Sequence, residues 1–488
     1  MSRLSTDLGY NEIPWATRNL GIGLHHRPEG GAERLRSARL PITALVQPGV
    51  RHNNRRRAHL LVSTVLGKHL PTDPRVVLGA GDHLGDLVRA ALGEREAVVL
   101  GFAETATGLG HCVAARIGAS CYLHSTRRAV PHARTLAGFE EGHSHATSHL
   151  LQPAPADIFV NDLPLVLVDD EISTGATAID AVRALHAFAP RAHYVLASLV
   201  DLRTEADRAE FEAAAAELGA RIDTVCLATG LASLPAGLVD AVGELPEPRL
   251  NPTARHAGSF GRVEIPWPAA VPEGGRHGIL ASDTGAFEAA LSDAGQVLTA
   301  RLAADFPGRA VIVLGHEELM YLPLRLAALL ADSGTPTRFQ TTTRSPAYVL
   351  DEPGYPLRRG FRFIAPEPGD TAPRYLYNAQ WPAALDLFEA DLAGLGALLA
   401  APPLRADTAA AITDDGVGSG AEGDGPAPDP VLVVVVDSPA DTAELVAEHG
   451  LVDVLTASGA DVLLAVLPEA DPRRLHAERA AAAQGSRT

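Results

Sequence analysis

The feature that most constrains this chain is a rhythm of short, unbroken apolar runs separated by stretches of helical periodicity. In the first 243 residues the runs at Val98–Leu100, 119–124, Leu165–Val168, Tyr194–Val200 and Ile222–Leu227 read as strands, and 107–117, Ala176–Phe188 and Thr204–Leu218 read as helices. Strands that lack period-two alternation are buried on both faces. The pattern therefore predicts an α/β fold, a mostly parallel, doubly wound sheet with helices on either side. Ligands of such sheets sit at the carboxyl ends of the strands, so the residues following each run carry the functional reading.

At 488 residues the chain is long enough for two or three domains. Pro- and Gly-rich stretches place the divisions. The expected layout is a first domain over 1–243 with an N-terminal extension at 1–48, then an irregular connector at 244–278. A second α/β domain over 279–403 and a disordered acidic linker over 404–430 follow. A last α/β segment at 431–470 and, over 471–488, a frayed Ala-rich helix or tail come after it.

Composition removes several classes of function. Lys plus Arg number 41 against 59 Asp plus Glu, and this net charge of −18 disfavours nucleic acid as a general partner. The one basic run, Arg51-His52-Asn53-Asn54-Arg55-Arg56-Arg57, reads as a cap on a site or as core packing. Cys112, Cys121 and Cys226 have no metal-binding or disulfide spacing, which points to a reducing cytoplasm. No apolar stretch has the length of a membrane span, so a soluble chain is expected. The single lysine, Lys68, lacks the glycine pattern of a Walker-type site and is given no role.

The strongest run leads into Val166-Leu167-Val168-Asp169-Asp170-Glu171-Ile172-Ser173-Thr174-Gly175-Ala176-Thr177 and then a helix. Free amides and the dipole at that helix start favour a phosphate on Ser173–Thr177, with Gly175 letting the backbone close around it. Two adjacent carboxylates at the strand end suit the vicinal hydroxyls of a ribose or a hydrated divalent cation. Together they describe a site for ribose 5-phosphate. The stretch resembles the phosphoribosyl-pyrophosphate signature of the type I phosphoribosyltransferases, which fits all twelve positions.

That resemblance implies roles for two further loops. Gly101-Phe102-Ala103-Glu104-Thr105-Ala106-Thr107-Gly108 stands where the family has its pyrophosphate loop. Residues 125–156 stand where it has a mobile catalytic loop, carrying Arg127, Arg128, His143, His145 and His149. Arg127 and Arg128 would neutralise the departing pyrophosphate, and His143 or His145 could serve as a base. The three histidines also have ligand-like spacing for a transition metal, and a solvated polar loop is the third reading. Mg²⁺ on Asp169 and Asp170, directly or through water, is the cofactor the resemblance implies.

In the second half, Thr343-Arg344-Ser345-Pro346 spells the string that names the TRSP domain. Residues 49–71, 97–177 and 279–381 resemble two-domain proteins in which TRSP follows a phosphoribosyltransferase-like domain. That family is associated with bacterial tellurium-resistance and stress gene clusters and with synthesis of a nucleoside-like metabolite. Glu317, Glu318, Tyr321, Thr343, Arg344, Ser345, Tyr377 and Asn378 follow strands or lie in loops and form a candidate second site. There is also an internal echo: Val98–Glu104 and Ser125-Thr126-Arg127 parallel Val311–Glu318 and Thr342-Thr343-Arg344, with Gly-to-Arg intervals of 26 and 29. The second half thus reads as a degenerate copy, or else as an independent α/β domain sharing common units.

The expected function is transfer of ribose 5-phosphate from phosphoribosyl pyrophosphate to a nucleobase-like or other small acceptor. The alternative is a sensor that binds the same ligand without turnover. A homodimer is compatible with the fold.

Overall fold

In the computed structural model, residues 13–27, 35–51, 54, 57–128, 130, 132–140, 148–381 and 429–485 are described. His143, His145 and all but the last two residues of the acidic linker 404–430 lie outside them. The first half is built on five parallel strands, ordered Arg221–Ser233, His193–Asp201, Leu165–Ile172, Val98–Gly101 and Cys121–His124. Gly23–His26 and Ile279–Leu280 add antiparallel edges, and Leu35–Ser37 pairs beside Arg221–Ser233.

The apolar runs are unbroken because both faces are covered. Val98, Leu100, Leu165 and Leu167 pack into one cluster, whereas Val99, Val166 and Val168 pack into another on the opposite face. The second half holds five parallel strands, ordered Phe260–Glu264, Val462–Leu467, Val431–Asp437, Val311–Gly315 and Thr337–Thr341. Its inner residues Val311, Val313, Val433 and Leu463 belong to the same cluster as Val99 and Val166. Helices Pro74–Leu92, Thr107–Ile117, Thr284–Asp305 and Tyr321–Asp332 contribute to that shared layer. The fold is thus α/β throughout, with a mostly parallel central sheet and a second α/β region after it.

Two segments differ from expectation. The connector 244–278 supplies the edge strand Phe260–Glu264, whose residues are only partly buried. Such a strand carries polar residues and shows no apolar run. The expected long loop 125–156 contains the hairpin Ala137–Glu140/Ser148–Leu151. The last stretch, expected as a frayed Ala-rich helix or a tail, forms helix Pro472–Gly485, anchored by Arg479, which donates to the Gly278 carbonyl at 2.8 Å and pairs with Asp283 at 2.6 Å. Among the described residues no helix is long and apolar enough to cross a membrane.

Candidate functional site

Asp169, Asp170 and Glu171 end the central strand of the first sheet, half-buried, and the chain then turns through exposed Ser173 and Thr174. Each carboxylate of the pair braces the next residue: Asp170 N–H donates to Asp169 Oδ1 at 2.9 Å, and Glu171 N–H to Asp170 Oδ1 at 3.1 Å. Gly175 caps helix Ala176–Phe188 with φ of 87°, in the left-handed region where a Cβ is penalised. A Cβ there would also stand 3.0 Å from Arg203 Cδ. Ala176 and Thr177 open the helix, and the Ala176 amide donates to Thr174 Oγ1 at 3.3 Å within the turn.

The neighbouring strand Val98–Gly101 delivers the second loop to the same edge, with Phe102 N–H donating to the Val168 carbonyl at 3.0 Å. The loop is less open than its sequence implies. The Ala103 amide donates to Ser125 Oγ, the Ala106 amide to the Phe102 carbonyl and the Gly110 amide to the Ala106 carbonyl. Glu104, Ala106, Thr107 and Gly108 are buried, and only Thr105 is half-exposed. The amides of Ala103, Ala106 and Gly110 are thus engaged within the protein.

Lys68, the sole lysine, reaches the loop: its ammonium donates to Thr105 Oγ1 and stands 3.8 Å from Glu104. Burial would raise the Glu104 pKa, but Lys68, Arg127 and hydrogen bonds from Thr343 and Arg344 bring it below the ordinary carboxylate value. Arg57, at the end of the basic run, pairs with Glu171 and so caps the site, one of the two roles expected for it. Sequence reasoning gave Lys68 no role. Its one signal was singularity, in a chain that otherwise takes its positive charge from arginine.

The two loop arginines part company. The Arg127 guanidinium lies in the field of Glu104, while its amide donates to Glu318 at 2.7 Å. Arg128, expected to face pyrophosphate, instead turns into the second half. It pairs there with Glu367 at 2.5 Å and Asp437 at 3.4 Å, carboxylates that Arg374 and Arg276 respectively also reach. His149 is buried against Ser125 Oγ, 2.8 Å from its Nδ1, which sets it in the core side of the hairpin.

The residues expected to form a second site are engaged with one another. Glu317 is held by Arg374 and by Arg344 at 2.9 Å, and Tyr321 stacks on His111 at 3.6 Å. Thr343 Oγ1 donates to Glu104 and accepts from Ser345 N–H at 3.1 Å. Tyr377 donates to the Ser345 carbonyl at 2.8 Å, and Asn378 Nδ2 to the His69 and Pro356 carbonyls at 3.0 Å. Glu318 accepts from Thr126 Oγ1 at 2.7 Å. Most of these groups thus pin loops in buried settings where an unpaired polar atom is costly, whereas half-buried Ser345 has no partner for its Oγ among the described residues. His316, Glu317 and Glu367 bring ligand atoms within 4.8 Å of one another, yet Arg374, Arg344 and Arg128 already balance their charge.

Residues 45–231 match a phosphoribosyl transferase family, and 273–392 match the TRSP domain found C-terminal to it. No curated protein matches. Among solved structures, adenine phosphoribosyl transferase from Trypanosoma brucei is 16% identical, over 38% of this chain and 76% of that one, with a TM-score of 0.30. The enzyme from Thermoanaerobacter pseudethanolicus is 17% identical over 38% and 97%, with a TM-score of 0.27. That from Leishmania donovani is 14% identical over 41% and 86%, with a TM-score of 0.30. With two adjoining matches that together span more than half its length, the chain belongs to the family in which a TRSP domain follows a phosphoribosyl transferase domain.

Proposed function

We propose that the first half transfers ribose 5-phosphate from phosphoribosyl pyrophosphate to a small acceptor and releases pyrophosphate. The observation that carries this reading is the acidic pair Asp169–Asp170 running directly into an open, glycine-capped helix start, beside a loop that holds Lys68 and Thr105. Ser173–Thr177 would bind the 5′-phosphate through amides and hydroxyls. Asp169 and Asp170 would accept hydrogen bonds from the ribose hydroxyls.

Two adjacent, half-buried carboxylates at a strand end also fit a divalent cation. Mg²⁺ held there, directly or through water, would offset charge on the pyrophosphate. Breaking the anomeric bond develops oxocarbenium character, as in glycoside hydrolysis. Lys68 and Arg127 are the cations of this chain that would stabilise the leaving group, and the fixed geometry would supply the orientation.

The acceptor is proposed to be nucleobase-like. The resemblance to a family of stress and tellurium-resistance gene clusters supports a place in nucleoside-like biosynthesis. Three buried free cysteines are in keeping with a reducing, cytoplasmic compartment.

The test gives the purified full chain phosphoribosyl pyrophosphate, Mg²⁺ and a mixture of small acceptors, and follows pyrophosphate release with mass spectrometry of products. Release that depends on an acceptor supports the transferase. Tight binding with no release under any acceptor would make the protein a sensor. In parallel, Asp170→Asn should lower affinity for phosphoribosyl pyrophosphate by at least tenfold with the fold intact, because it removes a charge and a diol acceptor. Unchanged affinity by calorimetry would overturn the site.

A further inference from the structure

The two halves repeat one another in space. In each, the central pair of strands follows a long helix, Pro74–Leu92 or Thr284–Asp305, and the five parallel strands take corresponding places. The exception is the edge strand Phe260–Glu264, which enters its sheet before the rest of the unit; its counterpart Arg221–Ser233 comes last. Hydrogen bonds at corresponding positions repeat too. Ser125 N–H donates to the Gly101 carbonyl and Thr342 N–H to the Gly315 carbonyl, both at 3.0 Å. Ala103 N–H donates to Ser125 Oγ at 2.9 Å, and Glu317 N–H to Thr342 Oγ1 at 3.0 Å. Thr126 exchanges a backbone pair with Leu150, as Thr343 does with Tyr375.

The bonds between the halves are reciprocal. Glu104, three residues after Gly101, accepts from Thr343 Oγ1 and, at 3.0 Å, from Arg344 N–H. Glu318, three residues after Gly315, accepts from Thr126 Oγ1 and Arg127 N–H, each at 2.7 Å. A contact from i to j matched by one from j to i is the mark of two units related by a twofold axis. Taking Gly101 and Gly315 as equivalent, the strand registers set Asp437 opposite Asp170 and Val436 opposite Asp169. Asp437 is occupied by Arg128 and, at 3.2 Å, by Arg276, so the second unit's counterpart of the ribose site is filled by protein.

The second half also holds the lysine segment. Thr341 N–H donates to the Gly67 carbonyl at 2.9 Å, Asn378 Nδ2 to the His69 carbonyl at 3.0 Å, and Thr72 pairs with Phe339. Gly67, at φ of 71°, lies so close to Phe339 that a Cβ would come within 2.5 Å of its ring.

We infer that the second half is a rearranged copy of the first that serves as a built-in second subunit: through Glu318 it positions the Thr126–Arg127 turn, and so the leaving-group side of the first unit's site. Glu318 is a positioning residue, acting through Arg127. The inference rests on the proposed transferase site for its effect on ligand, whereas the clamp itself can be measured without any ligand.

The test uses Glu318→Gln in the full chain. Hydrogen–deuterium exchange across 121–128 should speed up at Thr126–Arg127, because the amide side chain cannot accept both bonds. Affinity for inorganic pyrophosphate should fall at least tenfold, while affinity for ribose 5-phosphate, held at 173–177, should change less than twofold. A general loss of stability would not produce that split. Should Glu318→Gln fail to fold, Thr126→Val removes one bond of the clamp and carries the same comparison. Unchanged exchange overturns the clamp. Faster exchange with unchanged pyrophosphate affinity overturns the positioning role. A wild type that binds neither ligand, with exchange still faster in the variant, overturns the transferase reading and the positioning role while the clamp stands.

Discussion

Glu273 is buried where it accepts from the Ala470 amide, just beyond strand Val462–Leu467, and desolvation pushes its pKa up to about 7 from an ordinary 4.5, with Arg276 opposing and Asp437 reinforcing the shift. Between pH 4.5 and 7 the folded chain therefore keeps a proton that the unfolded chain has lost. By linkage, this residue's contribution to stability falls as pH rises through that window. Glu273→Gln, which keeps an acceptor for the Ala470 amide, should be neutral near pH 4 and stabilising at pH 8, by up to about 3 kcal/mol. Thermal midpoints at the two pH values check the sign. Glu318 behaves oppositely: burial raises its pKa, but Arg276, Arg128, His124 and the Arg127 amide bring it to about 2, so its clamp stays charged near neutrality. Ser173 bears on the acceptor. The resemblance to the type I phosphoribosyltransferases implies an acidic residue at that place in members that use 6-oxopurines, and a hydroxyl has too high a pKa to take the ring proton near neutrality. Hypoxanthine and guanine should therefore be poor acceptors, and efficient turnover of either, read as pyrophosphate release, would refute this.

At the scale of single elements, the strand–turn–helix from Leu165 to Phe188 was legible because its acidic pair, glycine and hydroxyls are close in sequence, although the strand runs on through the acidic pair to Ile172 instead of ending at Val168. Gly175→Ala is the sharpest check. It forces a side chain into left-handed backbone, at about 1–2 kcal/mol, and against Arg203 and Phe211 at 3.0 and 3.1 Å. Ribose 5-phosphate affinity should drop at least tenfold by calorimetry, with the rest of the fold retained. The other side of the site was legible only in part. Glu104 and Arg127 could be found from their place after strands. Their partners could not, since a one-dimensional echo does not say whether each copy bonds to itself or to the other. Lys68 stands 36 residues before Glu104 and is set by contacts to Thr341 and Asn378, which no local pattern encodes. Arg128 has the same chemistry as its neighbour, and only the alternation of side chains beyond the strand sends it to Asp437.

Over the whole molecule, the division at 244–278 separates sequence blocks more cleanly than it separates energetics. One hydrophobic cluster runs from Val99 and Val166 in the first sheet, through helices of both halves, to Val313 and Val433 in the second. Leu280 and Ile279 close the first sheet's edge from beyond the connector, and Arg479 ties the last helix to the same place. Apolar periodicity reports that a strand is covered, but not by what, which is why two domains looked separable. The consequence is a prediction about cooperativity. If each half folded alone, the chain would unfold in two calorimetric transitions, and a chain ending at Gly243 would keep its stability. With a shared core layer, cutting there uncovers inner faces such as that of helix Pro74–Leu92, which packs against Tyr321–Asp332. Large-to-small changes in such cores cost about 2–5 kcal/mol each, and removing an entire packing layer far exceeds the usual margin of stability of about 5–15 kcal/mol. The full chain should therefore unfold in one transition, and residues 1–243 alone should fail to give a cooperative one and should release no pyrophosphate. A folded, active fragment with a sharp transition of its own would show that the second half is an appendage.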